Sequence, residues 1–175
     1  MFIATKETKL IAIHELEWQC RRNAKGLDKS TYWTWLETVT TKGVPDYSGE
    51  DYEVVETDAP LSYESTVDGV TSTISFNESG HIHQDGTFSL KWDGTKIVKD
   101  DTAKATYDLA EEWKRIREER TRLLAETDWV VIKARENGGT VPAAWKTYRV
   151  ALRDIPAEQS DKTKYSEITW PTQPS

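Results

Sequence analysis

The sequence predicts an α+β protein. A β-rich module of hairpins and a meander spans residues 1–99, and a helical module spans 100–175 and ends in an extended tail. Three observations carry this. From Leu61 to Val98 apolar residues alternate with polar ones between Gly-containing breaks, the period of half-buried strands and their turns. At Lys99-Asp100-Asp101-Thr102 the period changes, and Leu109, Trp113, Ile116, Arg120 and Leu123 follow at helical spacings, forming one face. Beyond Pro156 the chain turns polar, with Ile168 and Trp170 as its anchors.

Residues 2–13 place two short apolar runs on either side of Lys6-Glu7-Thr8, which predicts a β-hairpin. His14 to Arg22 fits neither period. In the stretch 30–36, Trp33 and Trp35 alternate with threonine and favour a strand. A short helix capped by Asp28 or Ser30 is the alternative. Residues 41–51, with Gly43, Pro45, Asp46, Gly49 and Asp51, read as a loop. Leu61, Tyr63, Ser65 and Val67 then alternate into Asp68-Gly69, and Val70, Ser72, Ile74 and Phe76 alternate out of it. That is a hairpin with a two-residue turn. Asn77 to Gly80 is the next turn. Asp85-Gly86-Thr87 and Asp93-Gly94-Thr95 repeat eight residues apart, the spacing of a meander. His81 and His83 share one side of a strand, but no third ligand stands beside them. They read as solvent-facing strand residues, and no metal site is expected.

In the helical module, Asp101 or Thr102 caps the first helix. Its charged face, with Glu111, Glu112, Arg115, Glu118, Glu119 and Arg122, is a solvated surface. Arg120 interrupts the apolar stripe, either snorkelling outward or pairing with a carboxylate or carbonyl. The stripe spans too few heptads to assert a coiled coil. Thr127-Asp128 stops this helix and caps a short segment, Trp129 to Arg135. Asn137-Gly138-Gly139 is a break, and Val141-Pro142 opens a further helix with Pro142 in its first turn. On it Trp145, Tyr148, Arg149 and Leu152 share a face. Asp154-Ile155-Pro156 ends it, because proline disfavours helix in the residue before it. An Arg153–Asp154 pair would lock that exit.

A chain of 175 residues can bury a core without staples, and 37% hydrophobic with 30% charged residues is ordinary for a folded protein. Eight Trp and seven Tyr argue against disorder. A net charge of −7 argues against a nucleic-acid groove and against an anionic membrane surface. A lone Cys20 excludes an internal disulfide, suits a reducing compartment and reads as a partly buried residue. After Met1-Phe2-Ile3-Ala4 the chain turns polar, so no secretion signal is expected, and no apolar run approaches the roughly 18 residues of a membrane span. No nucleophile elbow, phosphate loop or zinc motif occurs.

One stretch carries an identity. Ile116-Arg117-x-x-Arg120-x-x-Leu123-Leu124-x-x-Thr127-Asp128-Trp129 precedes Trp145-x-x-Tyr148-Arg149-x-x-Leu152-Arg153-Asp154-Ile155-Pro156, and Ile168-x-Trp170-Pro171 closes the chain. This order resembles the phage tail assembly chaperone-like domain, similar in layout to the C-terminal part of tail fibre assembly proteins. The resemblance covers about residues 110–172. It implies a tailed-bacteriophage origin, a place in the tail or tail-fibre module, and action by protein–protein contact rather than catalysis. The expected partners are other phage tail or fibre proteins, with homo-oligomerisation a further expectation. The expected location is the host cytoplasm during assembly, or the virion tail for a retained structural subunit. The resemblance does not extend to the first hundred residues, and the protein's individual role is expected there.

The partner-binding candidates are Trp129, Trp145, Tyr148, Arg149, Arg153 and Trp170, because interface cores favour aromatics and arginine. Trp145 and Tyr148 on one helix face suit an internal core better than an interface. No catalytic residue, metal ligand or cofactor is expected. Two other function classes have requirements of their own. A tail-associated carbohydrate-binding module would stack sugars on Trp33, Trp35 and Trp92, and burial of all three would remove it. A glycan hydrolase would need paired carboxylates, and Glu53, Glu56, Asp58 and Glu64 lie on exposed-looking strands.

Overall fold

The computed structural model describes residues 1–41 and 44–174. The chain divides into two compact units, Met1–Ala105 and Thr106–Ser175.

In the first unit the expected hairpin forms from β1 (Phe2–Lys6) and β2 (Lys9–His14), with Glu7 at φ 57° in the turn. The elements that follow are α1 (Glu17–Ala24), α2 (Lys29–Val39), β3 (Thr40–Thr41), β4 (Val44–Pro45), β5 (Glu53–Glu56), β6 (Ser62–Val67), β7 (Val70–Ser75), β8 (Leu90–Trp92) and β9 (Ile97–Lys99). Five strands make an antiparallel sheet in the order β5-β1-β2-β8-β9.

Both faces of this sheet are covered. Register shifts between the pairs Ala4–Ala12 and Thr5–Leu10, leaving Ile11 as the extra residue of a bulge. The bulge puts Leu10 and Ala12 on opposite faces although they are two residues apart. Ile3, Leu10, Phe76, Leu90 and Ile97 pack one core. Ala4, Ala12, Cys20 and Tyr52 pack the other. The small residues Ala4 and Ala12 let α1 approach closely, and Cys20 Sγ donates to the Phe2 carbonyl at 3.4 Å. Cys20 is fully buried rather than partly so, and burial pushes its thiol up to about 11.

The β6–β7 hairpin turns through Asp68 (φ 50°) and Gly69 (φ 80°), with Val67 opposite Val70, in the register that alternation predicts. It is a separate two-stranded sheet, anchored at its base where Tyr63 stacks on Phe76 with centroids 5.6 Å apart. The two Asp-Gly-Thr triplets fold alike. Asp85 Oδ1 accepts from the amide and hydroxyl of Thr87, and Asp93 Oδ1 from those of Thr95.

Several expectations are corrected here. Residues 30–36 are helical, within α2, and the cap is Asp28, which accepts the Thr31 amide at 2.9 Å. Tyr32, Trp35, Leu36 and Val39 carry the helical spacing toward the interior, and it overrides the local Trp-Thr-Trp alternation. The 41–51 loop is interrupted by the short β3–β4 ladder, and Gly43 lies outside the described residues. His81 and His83 do not face solvent. His81 is buried, with Nδ1 2.9 Å from Ser79 Oγ and Nε2 3.1 Å from Asp101 Oδ1. His83 Nε2 lies 2.7 Å from Ser89 Oγ. The cap of the next helix is one residue earlier than expected, since Asp100 Oδ1 accepts the Ala103 amide at 3.1 Å. That bond holds the Asp100 carboxyl below the usual range, with Lys91 3.1 Å away adding to it.

The second unit is helical. Helix α3 (Asp101–Glu126) starts in the first unit and continues into the second, followed by α4 (Asp128–Glu136), α5 (Ala143–Glu158) and a 3-10 turn (Tyr165–Glu167). The core is Ile116, Tyr148, Leu152, Ile155 and Ile168, with Trp113, Leu123, Trp145, Tyr165 and Trp170 packed against it. The predicted α3 stripe is the buried one, although Leu109 at its start is exposed. Arg120 does not snorkel free: it is half-buried, and its Nε is buried without a hydrogen-bond partner among the described residues.

Two proline assignments change. Pro142 is the N-cap of α5, not its first turn, with an extended ψ of 140°. Pro156 lies inside α5, which runs on to Glu158. The missing amide of Pro156 costs one helical bond. Burial of the Ile155 side chain, worth about 2 kcal/mol, offsets it, and Gln159 N closes the turn on Ile155 O at 3.0 Å. The tail is extended around its 3-10 turn. Tyr165 N donates to Glu112 Oε2 at 2.6 Å, and the Gln159 amide bonds the backbone of Thr169 in both directions.

Candidate functional site

The corner between α3 and α4 organises the helical unit. Thr127 is fully buried, and its Oγ1 donates back to the Leu124 carbonyl at 2.9 Å. Threonine suits this position because its hydroxyl takes up a carbonyl that the ending helix leaves open. Arg149 reaches the same corner from α5. Its Nη1 donates to Leu124 O at 2.8 Å and to Thr127 Oγ1 at 2.6 Å, and its Nη2 to Asp128 Oδ1 at 2.7 Å. A planar guanidinium meets three acceptors in different directions, which an ammonium cannot do with the same geometry. This replaces the expected Arg153–Asp154 lock: no ion pair joins those two among the described residues, and Arg153 is exposed.

An aromatic row runs out from the core. Tyr148 is buried, and burial raises its phenol above the ordinary range. Trp145 meets it edge-on with centroids 6.2 Å apart, and Trp129 meets Trp145 in the same way at 6.2 Å. Trp129 is 53% exposed and ends the row in solvent. At the other end of the unit the tail is sealed. Tyr165 and Trp170 pair at 5.6 Å, and Arg115 lies 4.3 Å from the Tyr165 ring centroid. Trp170 is half-buried, and its Nε1 is buried without a hydrogen-bond partner.

Two adjoining hollows lie between α4 and α5, sharing Ala134, Gly139, Thr140 and Pro142. The larger, about 750 Å³, is lined by Arg135, Lys146, Arg149 and Arg153. The smaller, about 350 Å³, is walled by Trp129, Val130 and Trp145. The Asn137-Gly138-Gly139 break sets their common rim, with Gly138 at φ 65° turning the chain from α4. Of the candidates named from sequence, Trp129, Trp145, Arg149 and Arg153 come together here. Tyr148 belongs to the core and Trp170 to the tail seam. Lys146 and Arg135 were missed. Lys146 stands three residues before Arg149 and Arg153 four after it, so the stripe itself was visible as spacing.

The first unit holds a second aromatic group. Trp33 is exposed and lies 5.3 Å from Trp18. Trp35 is half-buried, stacked on Tyr47 with Lys25 Nζ 4.4 Å from its ring. Trp92 is half-buried against the sheet core. Glu53, Glu56, Asp58 and Glu64 are exposed. Among the described residues no group of three His, Cys, Asp or Glu side chains forms a metal site, and no helix is long and apolar enough to cross a membrane.

Residues 113–175 match the family model described as phage tail assembly chaperone protein. The match begins at Trp113 on the inner face of α3 and takes in the corner, both hollows and the tail. No curated protein and no solved structure matches the chain.

Proposed function

We propose that this protein serves phage tail assembly by protein–protein contact, with the helical domain, residues 100–175, as its partner-binding part. Trp129, Trp145, Arg149 and Arg153 form the contact surface, with Tyr148 packed edge-on against Trp145. The partner is another tail or tail-fibre protein, met in the host cytoplasm. The observation that carries this is an exposed tryptophan beside unpaired cations, on the stretch that matches the assembly chaperone family. Large aromatics and arginines are the side chains that supply most interface energy. The family is named for assembly, and the reading asks for no chemistry from the exposed carboxylates.

The β-rich unit favours a second version, a subunit retained in the virion as a fibre or baseplate adaptor. It has two cores of its own and an outlying hairpin, more structure than a transient helper needs. Co-expression with the tail and tail-fibre proteins of its phage tests the main reading. One of them is expected to co-purify with the full chain, and the Trp129→Ala variant is expected to lose it. Purification of the chain alone in every pairing would overturn the reading. Mass spectrometry of mature particles separates the two versions, since only the adaptor remains in them.

A further inference from the structure

The larger hollow is a basic site in an acidic protein. The chain carries −7 overall, yet the hollow is lined by Arg135, Lys146, Arg149 and Arg153 and by no carboxylate. Only Arg149 is neutralised, by Asp128. The side chains of Arg135, Lys146 and Arg153 have no ion pair or hydrogen bond among the described residues, and all three residues are exposed. Some cations elsewhere are paired, Lys25 with Glu50, Lys91 with Asp100, and Arg122 with Glu119 and Glu126; what sets the hollow apart is that several cations share one concave wall with no carboxylate in its lining. Like charges converging on a concave wall with no counter-charge repel one another, and an anion relieves that repulsion.

The adjoining hollow supplies the other half of the chemistry. Its Trp129 and Trp145 walls and the Pro142 ring on the shared rim are apolar, and Trp129 is half in solvent. A bulky apolar side chain seated there would cover it. A single occupant filling both hollows must therefore carry acidic groups next to an apolar one, over a few residues.

We propose that the paired hollows between α4 and α5 receive an acidic peptide segment with one bulky apolar side chain, presented by the tail protein that this chain engages. The apolar side chain packs against Trp129 and Trp145, and the carboxylates lie along Lys146, Arg153 and Arg135. The inference rests on the reading of the helical domain as the partner-binding part and specifies what that part accepts. Charge selects the segment and the tryptophans hold it. Nucleic acid fits less well, because the basic patch is short and the exposed face of the adjacent α3 carries Glu111, Glu118 and Glu126.

The test is an array of overlapping peptides covering the tail and fibre proteins of the phage, probed with the full chain and followed by fluorescence anisotropy on labelled hits. Hits are expected to combine Asp or Glu with Phe, Leu or Trp. Replacing their acidic residues by Gln or Asn should weaken binding at least tenfold, as should the Lys146→Glu/Arg153→Glu double variant. Both side chains are exposed, and the Lys146→Gln/Arg153→Gln variant, expected to show an intermediate loss, guards against misfolding. Trp33→Ala should bind as the parent does. The inference is overturned by an array without hits, by hits that tolerate the Gln exchange, or by double variants that bind unchanged. It is also overturned if an oligothymidylate probe binds more tightly than any peptide. Self-association that the double reversal abolishes would make a second copy the occupant and would overturn it too. If the full chain co-purifies with a tail protein and the double reversal leaves that complex intact, this inference falls while the proposed function stands. If no tail protein co-purifies, the proposed function falls first.

Discussion

One stripe of α5, made of Tyr148, Leu152 and Ile155, is buried against α3 and the C-terminal tail, while the neighbouring stripe, Lys146, Arg149 and Arg153, borders the open hollow beside α4. The two are offset by a residue or two in sequence and differ in what holds them. The first is satisfied by apolar burial. The second is satisfied at one position only, where Arg149 meets Leu124, Thr127 and Asp128, and its remaining cations stand ready for something else. A helix that must both build a core and offer a surface can do so with adjacent stripes, provided one member of the polar stripe is tied down and fixes the rotation of the rest.

That contrast can be broken by substitution, beginning with the core. Leu152→Ala should cost about 3 kcal/mol of unfolding free energy, read from urea denaturation followed by helical ellipticity. A near-zero cost would mean the inner stripe is not the core. Arg149→Met should cost about 2 kcal/mol, because the Leu124 carbonyl and Thr127 hydroxyl lose a donor, and Arg149→Lys should recover less than half. An Arg149→Met variant as stable as the parent would make Arg149 one more surface cation and erase the distinction. Trp170→Ala should cost about 1–2 kcal/mol and expose the tail to proteolysis, since it opens the sealed seam without touching the hollow.

The first unit provides a pH control on the same comparison. The Asp100 carboxyl is held low by the Ala103 amide and then by Lys91, so its contribution, about 1 kcal/mol as a helix cap, is fully present above the ordinary aspartate range. It fades as pH falls through the lowered value. Asp100→Asn should flatten that part of the acid limb, and an unchanged limb would count against the cap. Smallest of all, Lys146→Glu/Arg153→Glu should shift stability by within about 0.5 kcal/mol, whatever it does to binding. A large loss would put these cations in the fold rather than at the surface.

Much of this arrangement was legible as local pattern. The α3 stripe, the Thr127-Asp128 corner, the break at Asn137-Gly138-Gly139 and the Asp68-Gly69 hairpin each write their period or turn chemistry into a few consecutive residues. Elements decided by distant partners were not legible. Trp33-Thr34-Trp35 alternates like a strand, and its helix follows from Tyr32 being drawn into the interior and from the Asp28 cap. Pro156 looked like a stop because nothing local says that Ile155 is buried under the tail. Arg149 reads in sequence as an interface residue, yet its partners lie 21 to 25 residues away across the unit. Lys146 and Arg153 were in plain sight at helical spacing, but a charge on a helix carries no local sign of whether its surroundings will be convex or hollow.

The Arg149 tie also sets an order of events. Arg149 is made after α3 and α4, so the Leu124 carbonyl, already bonded by Thr127, and the Thr127 hydroxyl oxygen receive the Arg149 donor from 22 or more residues further on. The corner between α3 and α4, closed locally by Thr127, is thus reinforced from α5. The hollow, which α4 and α5 line together, is therefore complete only once α5 has docked on the corner.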